Sequence, residues 1–294
     1  SPEDPDMQLV LRSYAEMDKR IRYEDLKENL GIAENTNAAF AMARGDFIAL
    51  LDHDDLLAPN ALYEIVKVIN NKEDADVIYT DEDKVTADLK EHFQPHFKPD
   101  YNLDLLCTVN YICHLFVVSQ KVIEKVGGLR SEFDGAQDYD FVLRCVEAVK
   151  DEEICHIPKI LYHWRCHEDS TAENPESKLY AFEAGRRAVQ AHYERTGIHA
   201  EVFKGEYLGL YRTKFIRDHD PLISIIIPNK DHIDDLDRCL KSLYANAGYD
   251  NFEVLVIENN SEQQETFAYY KTMPERYPNS RVVTYVGPFN FSAV

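Results

Sequence analysis

The order of apolar and polar residues along the 294-residue chain predicts helices and strands in alternation. Segments with apolar residues three and four positions apart predict helices, and short apolar or alternating runs predict strands. Helices are predicted at 6–18, 35–44, 59–71, 137–149, 179–197 and 233–247. Strands are predicted at 19–26, 46–52, 75–83, 111–119, 154–165, 222–228, 252–261 and 280–289. This alternation favours an α/β fold whose sheet has a large parallel component.

The regular alternation stops at residues 198–220, where short aromatic strands and a charged turn follow one another. A new β-α-β pattern begins after Pro221. We therefore expect a first domain over 1–200, a connector over 201–220 and a second domain over 221–294.

Charge and composition narrow the classes of function. The chain has 32 Lys and Arg residues against 53 Asp and Glu residues, which gives a net charge of −21. Such a field repels a phosphate backbone, so nucleic-acid binding is not expected. The aliphatic runs are too short to span a bilayer. The six cysteines are scattered along the chain, which is typical of reduced thiols. We expect a cytoplasmic protein, with peripheral attachment to the inner face of the membrane left open.

An acidic cluster directly follows the apolar run Phe47–Leu51. If the strand continued through it, Asp52 and Asp54 would share a face at the carboxyl end of the sheet, where ligands bind in open α/β sheets. Two carboxylates on one face suit Mg²⁺ or Mn²⁺. The alternative is a solvated acidic loop that caps the helix predicted at 59–71.

A second candidate is Asp138, which follows a glycine-containing loop at the start of a predicted helix. An Asp at this position is commonly a helix cap, and Asp140 in the same turn compensates the helix dipole. A carboxylate that faces a pocket could instead accept a proton from a hydroxyl group.

A third candidate is the stretch "LYHWRCHEDSTA", in which His163, Arg165 and His167 alternate at the end of a predicted strand. Alternation places the three side chains on one face, where they could meet a phosphate or a metal ion. A half-buried strand with ordinary surface polar residues explains the same pattern.

These stretches together resemble the family 2 glycosyltransferases, and most of all the bacterial two-domain proteins of cell-surface polysaccharide synthesis. The resemblance rests on "GIAENTNAAFAMARGDFIALLDHDDLLAPNAL", "VIYTDEDKV", "HFKPDYNLDLLCTVNYICHLFVVS", "FDGAQDYDFVLRCVE", "HIPKILYHWRCHEDSTA" and "LISIIIPNKDHIDDLDRCLKSLYANAGYDNFEVLVIENNS". The segments cover nearly all of the chain in the family's order. The resemblance implies a GT-A-like fold, a mixed and mostly parallel sheet flanked by helices, with a Rossmann-like βαβ tail.

The resemblance also implies an inverting transfer of a sugar from a nucleotide-diphospho-sugar to a hydroxyl of a glycan or lipid-linked glycan, with Mn²⁺ or Mg²⁺ as cofactor. Carried over by position, the roles are as follows: Asp54 a metal ligand, Asp52 a ligand of the metal or ribose, Asp138 the general base, Gln137 and Tyr139 beside the acceptor, Arg165 and His167 near the diphosphate or metal, and His163 a weaker acceptor-side candidate. In the tail, Pro228, Asn229 and Glu258 fall in the nucleotide-binding opening. Glu258 stands where the family usually has Asp.

The chain departs from the family pattern at both ends. Residues 1–200 resemble a transferase domain without its first βαβ unit, and residues 221–294 resemble the front of a second one. We therefore expect a piece of a longer tandem protein. The tail could dock into the first domain or into a neighbouring copy as a swapped homodimer, since exposed sheet edges are unfavourable.

Two other classes of function compete with the enzyme. One is a non-catalytic module that holds a glycan or a protein partner. The other is a phosphatase with an Asp nucleophile, which would need Thr or Val after the second Asp, where this chain has Asp55.

Overall fold

The computed structural model describes residues 5–166, 179–290 and 292. The chain divides into two compact units, Ser1–Ile216 and Arg217–Val294. The helices of the first unit are α1 (Pro5–Met17), α2 (Ile32–Met42), α3 (Ala61–Asn71), α4 (Leu103–Leu106), α5 (Gln120–Val126), α6 (Gln137–Glu147) and α7 (Leu179–Thr196). Its strands are β1 (Phe47–Leu50), β2 (Leu56–Leu57), β3 (Val77–Thr86), β4 (His92–His96), β5 (Phe116–Ser119), β6 (Ile154–Cys166), β7 (Ala200–Lys204) and β8 (Tyr211–Phe215).

The first unit is built on a mixed sheet with the strand order β1-β5-β3-β6-β2, in which β4 also pairs with β3. Strands β3 and β6 run parallel, and the other pairs are antiparallel. The predicted α/β class with a mixed sheet is confirmed, but in this unit the sheet is not mostly parallel. An apolar run such as Phe47–Leu50 indicates that a strand is buried but not which direction it runs. The sequence therefore could not distinguish a parallel from an antiparallel arrangement.

Helices cover both faces of this sheet. Phe116 and Val118 of β5 pack with Phe141 of α6 and Val189 of α7 on one face. Val117, from the same strand, packs with residues of α3 on the other face. Because successive strand residues point to opposite faces, a strand buried on both faces is apolar at every position.

The predicted connector spans the junction of the two units. Its first part forms the β7–β8 hairpin, and Val202 and Tyr211 of this hairpin are buried in the core of the first unit. The strand predicted at 19–26 does not form, because its eight residues are largely exposed and pair with no strand of the described chain.

The second unit is a parallel three-stranded sheet with two helices. Its elements are β9 (Ile223–Asn229), α8 (Ile233–Asn246), β10 (Phe252–Glu258), α9 (Gln264–Arg276) and β11 (Ser280–Thr284). The strand order is β11-β10-β9, and Leu240, Val254 and Met273 are fully buried in its core. The βαβ pattern predicted after Pro221 is therefore present. No helix among the described residues has the length and apolar character that a membrane crossing requires.

Candidate active site

The acidic cluster forms a tight turn directly after β1. The backbone N–H of Asp55 donates to the carbonyl of Asp52 at 3.2 Å, so the chain has left the strand before the cluster begins. Strand alternation therefore does not set the directions of Asp52 and Asp54. The turn instead brings Asp52 and Asp55 together with His114, so that one ligand atom from each lies within 4.8 Å of the others.

Asp55 is held from the neighbouring strand β6. Its carboxylate accepts hydrogen bonds from the Tyr162 hydroxyl and, at 2.8 Å, from the backbone N–H of Arg165. Burial raises the pKa of the Asp55 carboxyl, and these two hydrogen bonds oppose that rise. The backbone N–H of Asp52 also lies 3.4 Å from the Tyr162 hydroxyl. Tyr162 thus fixes the turn against β6.

His114 lies between two carboxylates. Its Nε2 is 3.6 Å from Asp52 Oδ2, and its Nδ1 is 3.3 Å from Glu82 Oε2. The ring stacks on Tyr162 with a centroid separation of 4.6 Å. Burial alone would lower the pKa of His114, but Cys113, Asp52 and Glu82 outweigh it and raise this pKa well above its ordinary value. The half-buried imidazole beside the acidic turn is therefore favoured in its protonated form.

Glu82 is in turn surrounded by Lys98 and two histidines. Lys98 is buried, and its Nζ lies 3.2 Å from Glu82 Oε2 and 2.7 Å from the carbonyl oxygen of Ile112. Burial alone would raise the pKa of Glu82, but contacts with His114, His96 and Lys98 hold it well below its usual range. Glu82 is therefore an ionised carboxylate that stabilises the charged form of His114.

Asp138 lies in the first turn of α6, as the sequence predicts. Its Oδ2 accepts a hydrogen bond from Asn110 Nδ2 at 3.0 Å. The carboxylate lines a pocket of about 210 Å³ whose walls include Gly135, Phe182 and Tyr211. A carboxylate at the wall of a small pocket is placed to accept a proton from a bound hydroxyl group.

The charges of the acidic turn reach Asp138. Burial raises the pKa of the Asp138 carboxyl, the positive charge of His114 lowers it, and the negative charge of Asp52 raises it further. Asp52 and His114 therefore lie close enough to Asp138 to influence it electrostatically. Groups whose environments shift their pKa in a pocket are typical of catalytic sites.

Arg165 lies at the end of β6, next to the acidic turn. Its Nε is buried and has no hydrogen-bond partner among the described residues. A buried donor without a partner costs free energy, and an anionic ligand could satisfy it. His167, which is predicted to act with Arg165, lies outside the described residues.

The acceptor-side candidates have different surroundings. Gln137 Oε1 accepts from the backbone N–H of Gly135 at 2.8 Å and so shapes the loop before α6. Tyr139 is buried, and its hydroxyl donates to the carbonyl of Leu106. His163 binds Asp83 through its Nδ1 at 2.6 Å, so its ring is committed to a different carboxylate from those of the acidic turn.

In the second unit, Asn229 and Glu258 are paired residues at the carboxyl ends of β9 and β10. Glu258 is buried and accepts hydrogen bonds from the backbone and hydroxyl of Ser261 and, at 3.0 Å, from the Tyr270 hydroxyl. Asn229 Nδ2 also donates to Tyr270, at 2.7 Å. Pro228 precedes this pair in β9. The three predicted residues therefore lie together. Through its hydrogen bonds with Ser261, Glu258 stabilises the loop that follows β10.

The sequence did not single out His114, Asn110, Asp55 or Lys98 as site residues. His114 and Asn110 belong to "NYICHLFVVS", most of which reads as a strand. In the structure β5 begins only at Phe116, so the preceding residues form a loop beside the acidic turn. The one available signal was the occurrence of polar residues inside an otherwise apolar run.

Comparison with known proteins gives matches in both units. The model of the family described as glycosyl transferase family 2 matches residues 5–127 and 224–289. The chain is 43% identical over 99% of its length to the uncharacterized protein y4gI of Sinorhizobium fredii, and it covers 32% of that protein. It is 38% identical, again over 99% of its length, to the O-antigen biosynthesis protein RfbC of Myxococcus xanthus, of which it covers 22%. The chain thus spans about a third or less of these two relatives.

Among solved structures, TarS of S. aureus in complex with UDP-GlcNAc aligns with this chain at a TM-score of 0.47 and 18% identity. The alignment covers 63% of this chain and 54% of that one.

Proposed function

Since the chain belongs to glycosyl transferase family 2, we propose that its first unit transfers a sugar from a nucleotide-diphospho-sugar donor to a hydroxyl group of a growing surface glycan. The transfer is a single displacement that inverts the anomeric centre, with Asp138 as general base and Mn²⁺ or Mg²⁺ as cofactor. Family membership confirms the resemblance seen in the sequence, and with it the GT-A-like α/β class. The relative named for O-antigen biosynthesis supports a surface polysaccharide as the acceptor.

The observation that carries this proposal is the position of Asp138 in a small pocket within electrostatic reach of the acidic turn. A sugar hydroxyl is a weak nucleophile, so a carboxylate that removes its proton during attack accelerates transfer. The Asn110 amide binds one carboxylate oxygen, and backbone N–H groups at the start of α6 also act on the carboxylate. A single displacement needs one such base.

The residues of the acidic turn fit a divalent ion. Asp52 and Asp55 offer carboxylate oxygens within 4.8 Å of each other, and Asp54 belongs to the same turn. Carboxylates with water suit Mg²⁺ and Mn²⁺. When bound, such an ion neutralises the charge that develops on a diphosphate leaving group. Arg165, whose buried Nε has no partner among the described residues, is placed to bind an anionic diphosphate oxygen.

The test is a comparison of Asp138→Asn with the wild-type chain. Binding of UDP, GDP and dTDP with Mn²⁺ is measured by calorimetry. Release of the nucleoside diphosphate from UDP-GlcNAc, GDP-mannose and dTDP-rhamnose is measured by a coupled assay in the presence of oligosaccharides that supply the acceptor hydroxyl. We expect Asp138→Asn to bind like wild type and to turn over at least about 100-fold more slowly. Glu132→Gln is the control, because Glu132 is an exposed acid outside the pocket lining, and it should match wild type.

A wild-type chain that binds nucleotide without turning over any of the three donors would favour the non-catalytic module. Turnover that Asp138→Asn leaves unchanged would refute Asp138 as the base. Absence of nucleotide binding with Mn²⁺ would refute the donor assignment.

A further inference from the structure

Three consecutive carboxylates in β3 each contact histidine. Asp81 binds His156 at 2.8 Å, Glu82 lies beside His114 and His96, and Asp83 binds two histidines of its own. The Glu82 contacts belong to the site described above. The group around Asp83 takes no part in the proposed transfer.

The Asp83 group consists of one carboxylate and two imidazoles. Asp83 Oδ2 lies 3.0 Å from His92 Nδ1, and Asp83 Oδ1 lies 2.6 Å from His163 Nδ1. The two rings meet edge to face with centroids 4.6 Å apart. One ligand atom from each of the three residues lies within 4.8 Å of the others. Three potential ligand atoms thus converge on one small volume.

Three adjacent strands hold these ligands. His163 of β6 is the direct neighbour of Asp83 in the parallel pair, and His92 of β4 pairs with Val85 on the other side of β3. Ligands that project from paired strands are positioned more precisely than ligands on loops.

A bulge in β4 directs its two histidines to different carboxylates. Between the pairs Glu82–His96 and Lys84–Phe93, β3 advances two residues and β4 advances three. Gln94, inside this interval, has φ 47°. An extra residue changes which face the later side chains occupy. His92 therefore reaches Asp83, while His96, four residues later, reaches Glu82.

The group is accessible from one side. The side chains of Asp83 and His163 are 9% and 17% exposed, and that of His92 is 48% exposed. An ion could enter past His92 and keep water in its remaining coordination positions. Two neutral imidazoles and one carboxylate suit Zn²⁺ and its neighbours in the transition series, whereas Mg²⁺ prefers oxygen ligands alone.

We propose that Asp83, His92 and His163 form a binding site for a divalent transition-metal ion of the Zn²⁺ type. The site shares no ligand with the Asp52–Asp55–His114 group. The bound ion fastens β4, whose five residues are all exposed, to the two strands that carry its other ligands. The proposal stands independently of the transfer reaction.

The test uses the full chain stripped of metal with a chelator. Zn²⁺ binding is measured by calorimetry and Co²⁺ binding by its visible absorption, in wild type, His92→Gln, His96→Gln and an Asp52→Asn/Asp54→Asn double variant. We expect one Zn²⁺ equivalent in wild type and in the double variant, and an affinity at least about tenfold lower in His92→Gln. His96→Gln is the matched control, because His96 is an equally exposed histidine of the same strand, and it should bind like wild type.

The far-UV spectrum of metal-free His92→Gln should match that of wild type, because His92 lies at the surface. Zn²⁺ binding that His92→Gln leaves unchanged would overturn the proposal. Binding that is lost in the double variant and kept in His92→Gln would assign the ion to the acidic turn and would overturn it equally.

Discussion

Asp140 holds α6, and therefore Asp138 two residues earlier, through a buried ion pair. Its side chain is 0% exposed and lies 2.9 Å from Arg144 Nε and 3.0 Å from Arg130 Nε. Arg144 is 7% exposed and donates further hydrogen bonds to two backbone carbonyls, whereas Arg130 is 34% exposed. Asp140→Asn removes the charge at nearly constant volume, so it leaves the Arg144 cation buried without a counter-charge and creates no cavity.

Removing one partner of a buried ion pair costs about 3–5 kcal/mol, because the other charge is left uncompensated. Arg144 keeps its two carbonyl partners and the asparagine keeps one acceptor oxygen, so we expect the lower end, about 3 kcal/mol. With a denaturant slope of about 3 kcal/mol per M urea, the midpoint should fall by about 1 M. Arg130→Ala removes the more exposed cation and should cost at most about 1 kcal/mol.

The assay is urea unfolding followed by tryptophan fluorescence. Trp164, the one tryptophan of the chain, lies in β6 and packs against His114, so its signal reports the first unit. Two results would refute the argument that an uncompensated Arg144 charge dominates. One is a stability loss below about 1 kcal/mol in Asp140→Asn. The other is an Asp140→Asn loss that does not exceed the loss measured for Arg130→Ala.

Two further predictions concern the pocket around Asp138. Asp138 must be ionised to act as the base, and burial raises its pKa. The acid limb of the pH–rate profile, where the rate falls as Asp138 is protonated, should therefore lie at a higher pH than the pKa of an ordinary Asp. His114→Gln removes a positive charge that lowers this pKa and should move the limb to higher pH, which a pH profile of kcat/KM checks. Gly135 has φ 96°, and a Cβ there would lie 2.9 Å from the Cα of Ala181, so Gly135→Ala should destabilise the first unit by about 1–3 kcal/mol and slow turnover. An unchanged unfolding midpoint in Gly135→Ala would contradict this reasoning.

The sequence predicts best those features that depend on neighbouring residues. The apolar run at Phe47–Leu50 and the periodic pattern of α6 locate β1 and the start of the helix that carries Asp138. Both positions follow from local burial and from the glycine-containing loop before α6, which the order of residues records directly. The family resemblance then assigns chemistry to residues that the pattern only locates.

Other features depend on contacts between distant segments. His114 becomes part of the site only because a loop before β5 meets a turn about 60 residues earlier and Glu82 of β3, and no local periodicity reports such a meeting. The shared direction expected for Asp52 and Asp54 assumed a strand, but the chain turns at Asp52. The β4 strand was missed because "HFQPH" contains a proline and is exposed throughout, and both features argue against a strand.

The extra residue in β4 makes the length of that strand as significant as its composition. Connections between elements commonly accept insertions and deletions, because each added residue changes the closure entropy only slightly. Within β4, however, the extra residue and the four-residue spacing of the two histidines depend on each other, because on a regular strand two side chains four residues apart would share one face. During divergence this strand would therefore keep the bulge and the four-residue spacing together or lose the extra residue and the bulge together, whereas the neighbouring turn at 87–91 would be free to change in length.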